Sequence, residues 1–288
     1  MSDWQSLSPD QLEREYNARA TVPDIDAELR AYRDASLPMY TTLECLRDLP
    51  YGPSADERLD LFPVPDRPGA PVLLFIHGGY WRALSRADSV FMARNFVAQG
   101  VAVAAIDYSL APAAHLGTMV AQCRRAVAWL HAYLRARNSR NVRIVVAGSS
   151  AGAHLAAMVL AAGWQGALGL ADDVVHGGVL VSGLYDLAPL RQTLPQAWLQ
   201  LTAQDVLALS PQLHLPAPAR PVRVVVAGQD TDEFKRQSRD YAQACERQGN
   251  AVEYLEVSGR NHFNIILDWM LADSALTRSV LALAHPAA

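Results

Sequence analysis

Short apolar runs alternating with helical patterns constrain this chain more than any other feature. Val72–Ile76, Val101–Ile106, Val142–Ala147, Gly178–Val181 and Val222–Ala227 are apolar over most or all of their length and rich in valine and isoleucine. A strand with one wet face alternates polar and apolar residues, whereas a continuous run fits a strand covered on both faces. Val252–Val257 ends the series, with Glu253 and Glu256 marking some exposure, and Glu57–Phe62 reads as a half-exposed strand near the start. Helical patterns fill the gaps. Met119, Cys123, Ala126, Val127, Leu130 and Leu134 share one face at helical spacing. Phe234, Tyr241 and Cys245 mark a second helix that Gly249 is placed to end, and Ile265, Ile266, Trp269, Leu276, Val280 and Leu283 mark a C-terminal helical region. The order predicts an α/β fold: a mostly parallel, doubly wound sheet flanked by helices, with right-handed crossovers. Chemistry in such sheets lies beyond the C-terminal ends of the strands, so the informative loops follow Ile76, Ala147, Ala227 and Val257.

No repeat or Gly/Ser linker divides the 288 residues, so 1–288 reads as one domain. The first 40 residues differ from the rest. Ser8 is placed to cap a short helix, Val22-Pro23-Asp24 breaks it, and the segment is too short for a core of its own. It is expected to pack on the body as a cap over a cleft. With 25 basic and 29 acidic residues, a net charge of −4 and no long run of one sign, the chain offers no footprint for nucleic acid or an anionic membrane. No apolar run reaches the roughly 18 residues of a membrane span. Cys45, Cys123 and Cys245 are too few and too far apart for a disulfide framework or a cysteine metal site. Met1–Asn17 lacks the basic start and apolar core of a signal peptide, which makes the cytoplasm the expected compartment.

Gly148-Ser149-Ser150-Ala151-Gly152 fits G-x-S-x-G at a strand-to-helix turn, the pattern that exposes a nucleophilic serine above a sheet. Ser150 occupies the nucleophile position; Ser149 occupies a neighbouring one and is expected to point away. A serine needs a base, and the base needs an orienting acid. Of the eight histidines, His262 alone combines a late position with a loop after a strand run; His285 lies in the tail. Asp230 is the first carboxylate after Ala227, with Asp232 the next candidate and Asp186 the third. Thr231 or Asp232 is well placed to cap the following helix, and Glu233 suits its first turn. His77-Gly78-Gly79-Tyr80-Trp81 resembles a loop that aims backbone N–H groups at an oxyanion. Its expected donors are Gly79 and Tyr80, joined by Ala151; Gly78 shapes the loop, and His77 bonds within it. His77, His115, His131, His154, His176 and His214 show no metal-ligand spacing, and the glycine-rich turns do not match a dinucleotide site, so no metal or cofactor is expected.

With these motifs in this order, the chain resembles the α/β-hydrolases. More narrowly it resembles the kynurenine formamidase (arylformamidase) branch near the hormone-sensitive-lipase-like esterases. Glu15-Tyr16-Asn17-Ala18-Arg19, the HGGxW loop of His77–Trp81, the Asp230–Ser238 segment and Asn261-His262-Phe263 carry the likeness. The resemblance implies a triad of Ser150, Asp230 and His262. It also implies cofactor-free hydrolysis of N-formyl-L-kynurenine to kynurenine and formate. A small-acyl carboxylesterase is the alternative; an acyltransferase and a non-catalytic binding protein on the same scaffold are readings from other classes. Tyr80, Trp81 and Phe263 are expected to line an aromatic pocket for a small-molecule amide or ester, whereas Trp198 suits a plain core position in a region, 186–216, that the pattern does not place. Tyr80, standing where related esterases carry a third glycine, is expected to favour small acyl groups.

Overall fold

The computed structural model describes residues 4–137 and 142–286. Eight strands form one sheet: β1 (Leu46–Pro50), β2 (Arg58–Phe62), β3 (Val72–Ile76), β4 (Ala102–Ile106), β5 (Ile144–Ser149), β6 (Val175–Val181), β7 (Val222–Ala227) and β8 (Val252–Val257). Their spatial order is β1-β2-β4-β3-β5-β6-β7-β8. β1 and β2 pair antiparallel with each other, as do β2 and β4, and the remaining neighbours are parallel. This is the α/β-hydrolase arrangement.

The continuous apolar runs have a direct physical cause. Successive side chains of a strand point to opposite faces, and here both faces are dry. Val72, Leu74 and Ile76 of β3 enter one core, while Leu73 and Phe75 enter the other. On β5, Ile144 and Val146 split from Val145 and Ala147 in the same way. Burying each large aliphatic or aromatic side chain contributes about 1.5–3 kcal/mol. The helices cover these faces as their periodicity predicts: the buried stripe of Leu116–Ala136 includes Met119, Cys123, Ala126, Val127, Leu130 and Leu134. Helix Ala151–Leu160 is buried along its whole length, which explains its run of small residues. Gly249 (φ +90°) ends the helix Asp232–Arg247 in a left-handed turn. Ile265, Ile266 and Trp269 lie in a 3₁₀ stretch, Asn264–Met270, while Leu276, Val280 and Leu283 lie in the helix Ala275–Ala284.

Three details depart from the sequence reading. β2 is buried rather than half-exposed. Asp60, the charged residue within it, is 1% exposed, because Tyr40 and the Asp48 N–H donate to it at 2.7 Å each and the Arg86 guanidinium lies 3.1 Å away. β1 has no clear strand signal; it is a short, mostly exposed edge with a register irregularity. β6 starts at Val175, earlier than the apolar run suggested. Residues 186–216, unplaced from sequence, form two 3₁₀ turns, Pro189–Gln192 and Pro211–Leu213, and the short helices Gln196–Leu199 and Ala203–Leu209. No helix among the described residues is long and apolar enough to cross a membrane.

The N-terminal segment, of which 1–3 fall outside the described residues, carries the helix Pro9–Tyr16 with Ser8 as cap and Gln11 completing a capping box. Asp24 then caps Ile25–Ser36, so the Val22-Pro23-Asp24 break also starts the next helix. The Tyr16 hydroxyl donates to Glu233 Oε2 at 2.8 Å, and Tyr32 donates to the Phe263 carbonyl at 2.6 Å. Burial pushes both phenols well above their ordinary pKa, so they stay neutral donors.

Candidate active site

The turn after β5 is built by close approach. A Cβ on Gly148 would sit 2.2 Å from the Gly152 carbonyl oxygen, and one on Gly152 would sit 2.1 Å from that of Ile76. Only glycine fits either position. Between them Ser150 adopts φ 56°, ψ −120°, a conformation that costs a non-glycine residue about 1–3 kcal/mol. The sharp bend at the tip of β5 brings Ser150 to the wall of a cavity at the C-terminal edge of the sheet. Ser149, expected to point away, also borders this cavity.

His262 follows β8 and lines the same cavity, 3% exposed. Its Nδ1 lies 2.6 Å from Asp230 Oδ1. A carboxylate can only accept, so Nδ1 carries the proton and Nε2 is left as a base. Asp230 is itself held: Oδ2 accepts from Ser182 Oγ at 2.5 Å and from the Ala227 N–H at 3.1 Å. The competing acids are elsewhere. Asp186 accepts locally from the Ala188 N–H, and burial raises its pKa; Asp232 opens the helix Asp232–Arg247 on the exposed side. Capping of that helix differs from expectation. Thr231 holds the cap position but donates its hydroxyl to the Glu15 carbonyl, and the Glu15 carboxylate accepts the Glu233 N–H at 3.0 Å. The N-terminal segment thus supplies the cap.

Several carbonyls of the loop after β3 are engaged by neighbouring donors. Tyr108 donates to the His77 carbonyl at 2.9 Å, Trp198 Nε1 to that of Tyr80 at 3.0 Å, and the Ala111 N–H to that of Trp81 at 2.7 Å. Three successive residues, Gly79, Tyr80 and Trp81, have positive φ (95°, 52° and 58°). Among the described residues no acceptor bonds to the N–H groups of Gly79, Tyr80 or Ala151. A Cβ on Gly78 would approach the Ser149 carbonyl oxygen to 2.8 Å, so this glycine lets the loop lie against the serine turn. His77 bonds within the loop, with Nδ1 3.0 Å from the Gly78 carbonyl, and stacks on Tyr108; burial lowers its pKa.

Around these groups lies a cavity of about 180 Å³ bordered by Tyr80, Trp198, Phe263 and the N-terminal segment. Two aromatic assignments from sequence are corrected. Trp81 is fully buried, packs edge-on against His154 and does not border the cavity. Trp198 does border it, because the short helix Gln196–Leu199 sets its indole against Tyr80. His154, four residues beyond Ser150, is fully buried with Nε2 2.8 Å from the Leu209 carbonyl.

Two supporting residues had no role assigned from sequence. Ser182 holds Asp230; it lies at the end of β6 with φ 49°, and nothing in the local pattern marks it. Asn261 orders the histidine loop: its Oδ1 accepts the N–H groups of Phe263 and Asn264 at 2.9 and 2.7 Å, and its Nδ2 donates to Glu28 at 2.7 Å. An asparagine beside the late histidine was the available signal for that role.

The sheet and its loops define the class of this protein: it is a hydrolase of the α/β-hydrolase fold. The BD-FAE family profile matches residues 59–169. The chain is 35% identical to the kynurenine formamidase of Danio rerio over 98% of both chains. It is 34% identical to that of Salmo salar, again over 98% of both. A crystal structure of a proposed thioesterase from a Silicibacter species superposes with a TM-score of 0.80 at 25% identity, covering 94% of this chain and 99% of that one. The chain belongs to the kynurenine formamidase family.

Proposed function

We propose that this protein is an arylformamidase that hydrolyses N-formyl-L-kynurenine to kynurenine and formate, with Ser150, Asp230 and His262 as its triad. The carrying observation is the buried 2.6 Å His262–Asp230 pair beside a small aromatic cavity that Ser150 also borders. Ser150 Oγ attacks the formyl carbon as His262 Nε2 takes its proton, and the N–H groups of Gly79, Tyr80 and Ala151 hold the oxyanion. His262 then protonates the departing aryl amine. In the second half, water gives a proton to His262 and attacks the formyl-enzyme, and collapse releases formate and restores Ser150. The Tyr80 hydroxyl is tied to the Tyr16 carbonyl, which keeps its ring at the cavity wall and supports a preference for formyl or acetyl over long acyl chains. The three cysteines are free, which suits a reducing compartment, and we assign the enzyme to the cytoplasm.

The deciding experiment compares kcat/KM for N-formyl-L-kynurenine and p-nitrophenyl acetate, in the wild type and in Ser150→Ala. The formamide should be preferred, and the variant should lose roughly 10⁴–10⁶-fold in turnover of both. Turnover of the ester alone would replace the formamidase reading with a small-acyl carboxylesterase. Full activity in the alanine variant would remove Ser150 from the mechanism. Asp230→Asn should cost far more than Asp232→Asn, since only the first carboxylate touches His262.

A further inference from the structure

Three charged side chains other than histidine border the cavity: Glu13, Arg19 and Arg82. Glu13 is engaged, accepting the Leu194 N–H on Oε2 at 2.7 Å. The arginines are not: among the described residues no carboxylate pairs with either. A solitary exposed arginine is ordinary, but these two come from separate parts of the chain and meet at one cavity. Arg82 follows the oxyanion loop, and its guanidinium lies 4.3 Å from the centre of the Trp198 ring. Arg19 stands in the 3₁₀ turn Ala18–Thr21, anchored by buried Ala18 and by the Tyr16 contacts to Glu233 and Tyr80. Histidines aside, the cavity's charged side chains sum to +1 on a chain whose net charge is −4.

We infer that Arg19 and Arg82 form a carboxylate subsite that selects aryl substrates carrying an anionic amino-acid tail. This rests on the proposed reaction for the placement of the acyl group at Ser150, and it adds which substrates the cavity prefers and which residues choose them. A guanidinium can present paired N–H donors to a carboxylate while its plane lies against an indole, and Arg82 already lies over Trp198. It also gives the Glu15–Arg19 motif a purpose beyond packing: the motif's first two residues hold the segment on the body, and its last reaches the cavity.

The test uses two matched pairs of substrates: N-formyl-L-kynurenine with its carboxyl methyl ester, and O-acetyl-L-tyrosine with its methyl ester. In the wild type each free carboxylate should be favoured over its methyl ester by about 10–100-fold in kcat/KM, chiefly through KM. The preference should shrink as salt is raised. Arg19→Gln and Arg82→Gln should each reduce the ratio, the double variant should bring it close to one, and Arg82→Lys should keep part of it. A wild-type ratio near one, or a ratio unchanged in the double variant with its thermal midpoint intact, overturns the subsite. If neither formamide is hydrolysed but the acetyl esters are, the formamidase reading fails, and the ester pair still decides the role of the arginines.

Discussion

Ser182 offers the sharpest test of how the acid is held. Asp230 Oδ2 has two donors, the Ser182 hydroxyl at 2.5 Å and the Ala227 N–H at 3.1 Å. Ser182→Ala removes the shorter bond and leaves the backbone one. A hydrogen bond to a charged group contributes about 1.5–3 kcal/mol. The carboxylate then holds the imidazolium less firmly in the transition state, and each ~1.4 kcal/mol lost there is a tenfold change in rate. The variant should therefore lose about 10- to 100-fold in kcat. KM should change little, because Ser182 does not border the cavity. Alanine meets the same cost as serine at φ 49°, so the substitution adds no backbone strain of its own. Ser182→Gly, which relieves that φ, should lose activity as well, separating the missing hydroxyl from any strain. Steady-state kinetics on a formamide and an aryl ester, with thermal unfolding alongside, makes the comparison. A kcat within twofold of wild type at an unchanged midpoint, or a change confined to KM, would refute the positioning role.

Acidification should weaken the fold through His154, whose pKa burial lowers from 6.5 to about 4. The folded state favours the neutral ring, so the stabilisation is complete above the unfolded value and drains away as pH falls from 6.5 towards 4. It amounts to about 3 kcal/mol. Urea midpoints between pH 7 and 4.5 should show this slope, and His154→Gln should flatten it; an equal slope in both proteins would place the sensitivity elsewhere. Gly152→Ala should fail to accumulate as folded protein, since its methyl would meet the Ile76 and His77 carbonyl oxygens at 2.1 and 2.6 Å; a soluble, active variant would show that the turn can open. Glu15→Ala should lower stability by about 1 kcal/mol by uncapping the helix Asp232–Arg247, read from urea unfolding, and a change below about 0.3 kcal/mol would show that water replaces the cap. A chelator should leave activity unchanged, since the proposed mechanism draws its nucleophile, base and oxyanion donors from the chain itself; loss of activity restored by a divalent cation would contradict the serine mechanism.

Much of this protein was legible in one dimension because its central constraints are local. A strand buried on both faces must be apolar throughout, so β3, β4 and β5 could be read directly from composition. A turn with carbonyl oxygens about 2 Å from a missing Cβ admits only glycine, so Gly148 and Gly152 bracketed Ser150 in plain view. Chain order along a doubly wound sheet then pointed to Asp230 and His262, and the structure brings them together at 2.6 Å. What depended on partners distant in the chain was not legible. The strand 57–62 reads as half-exposed, but Tyr40, Asp48 and Arg86 close over Asp60, and Ser182 gains its role only from Asp230, which follows β7. Trp81 and Trp198 exchanged their expected places because burial of an indole is decided by whatever packs over it: His154 and the core in one case, only a short helix beside an open cavity in the other. The N-terminal segment's caps and hydroxyl bonds span more than 200 positions, from Glu15 and Tyr16 to Glu233. Periodicity records which face of an element is dry, but not which other element dries it; that second fact exists only once the chain has closed on itself.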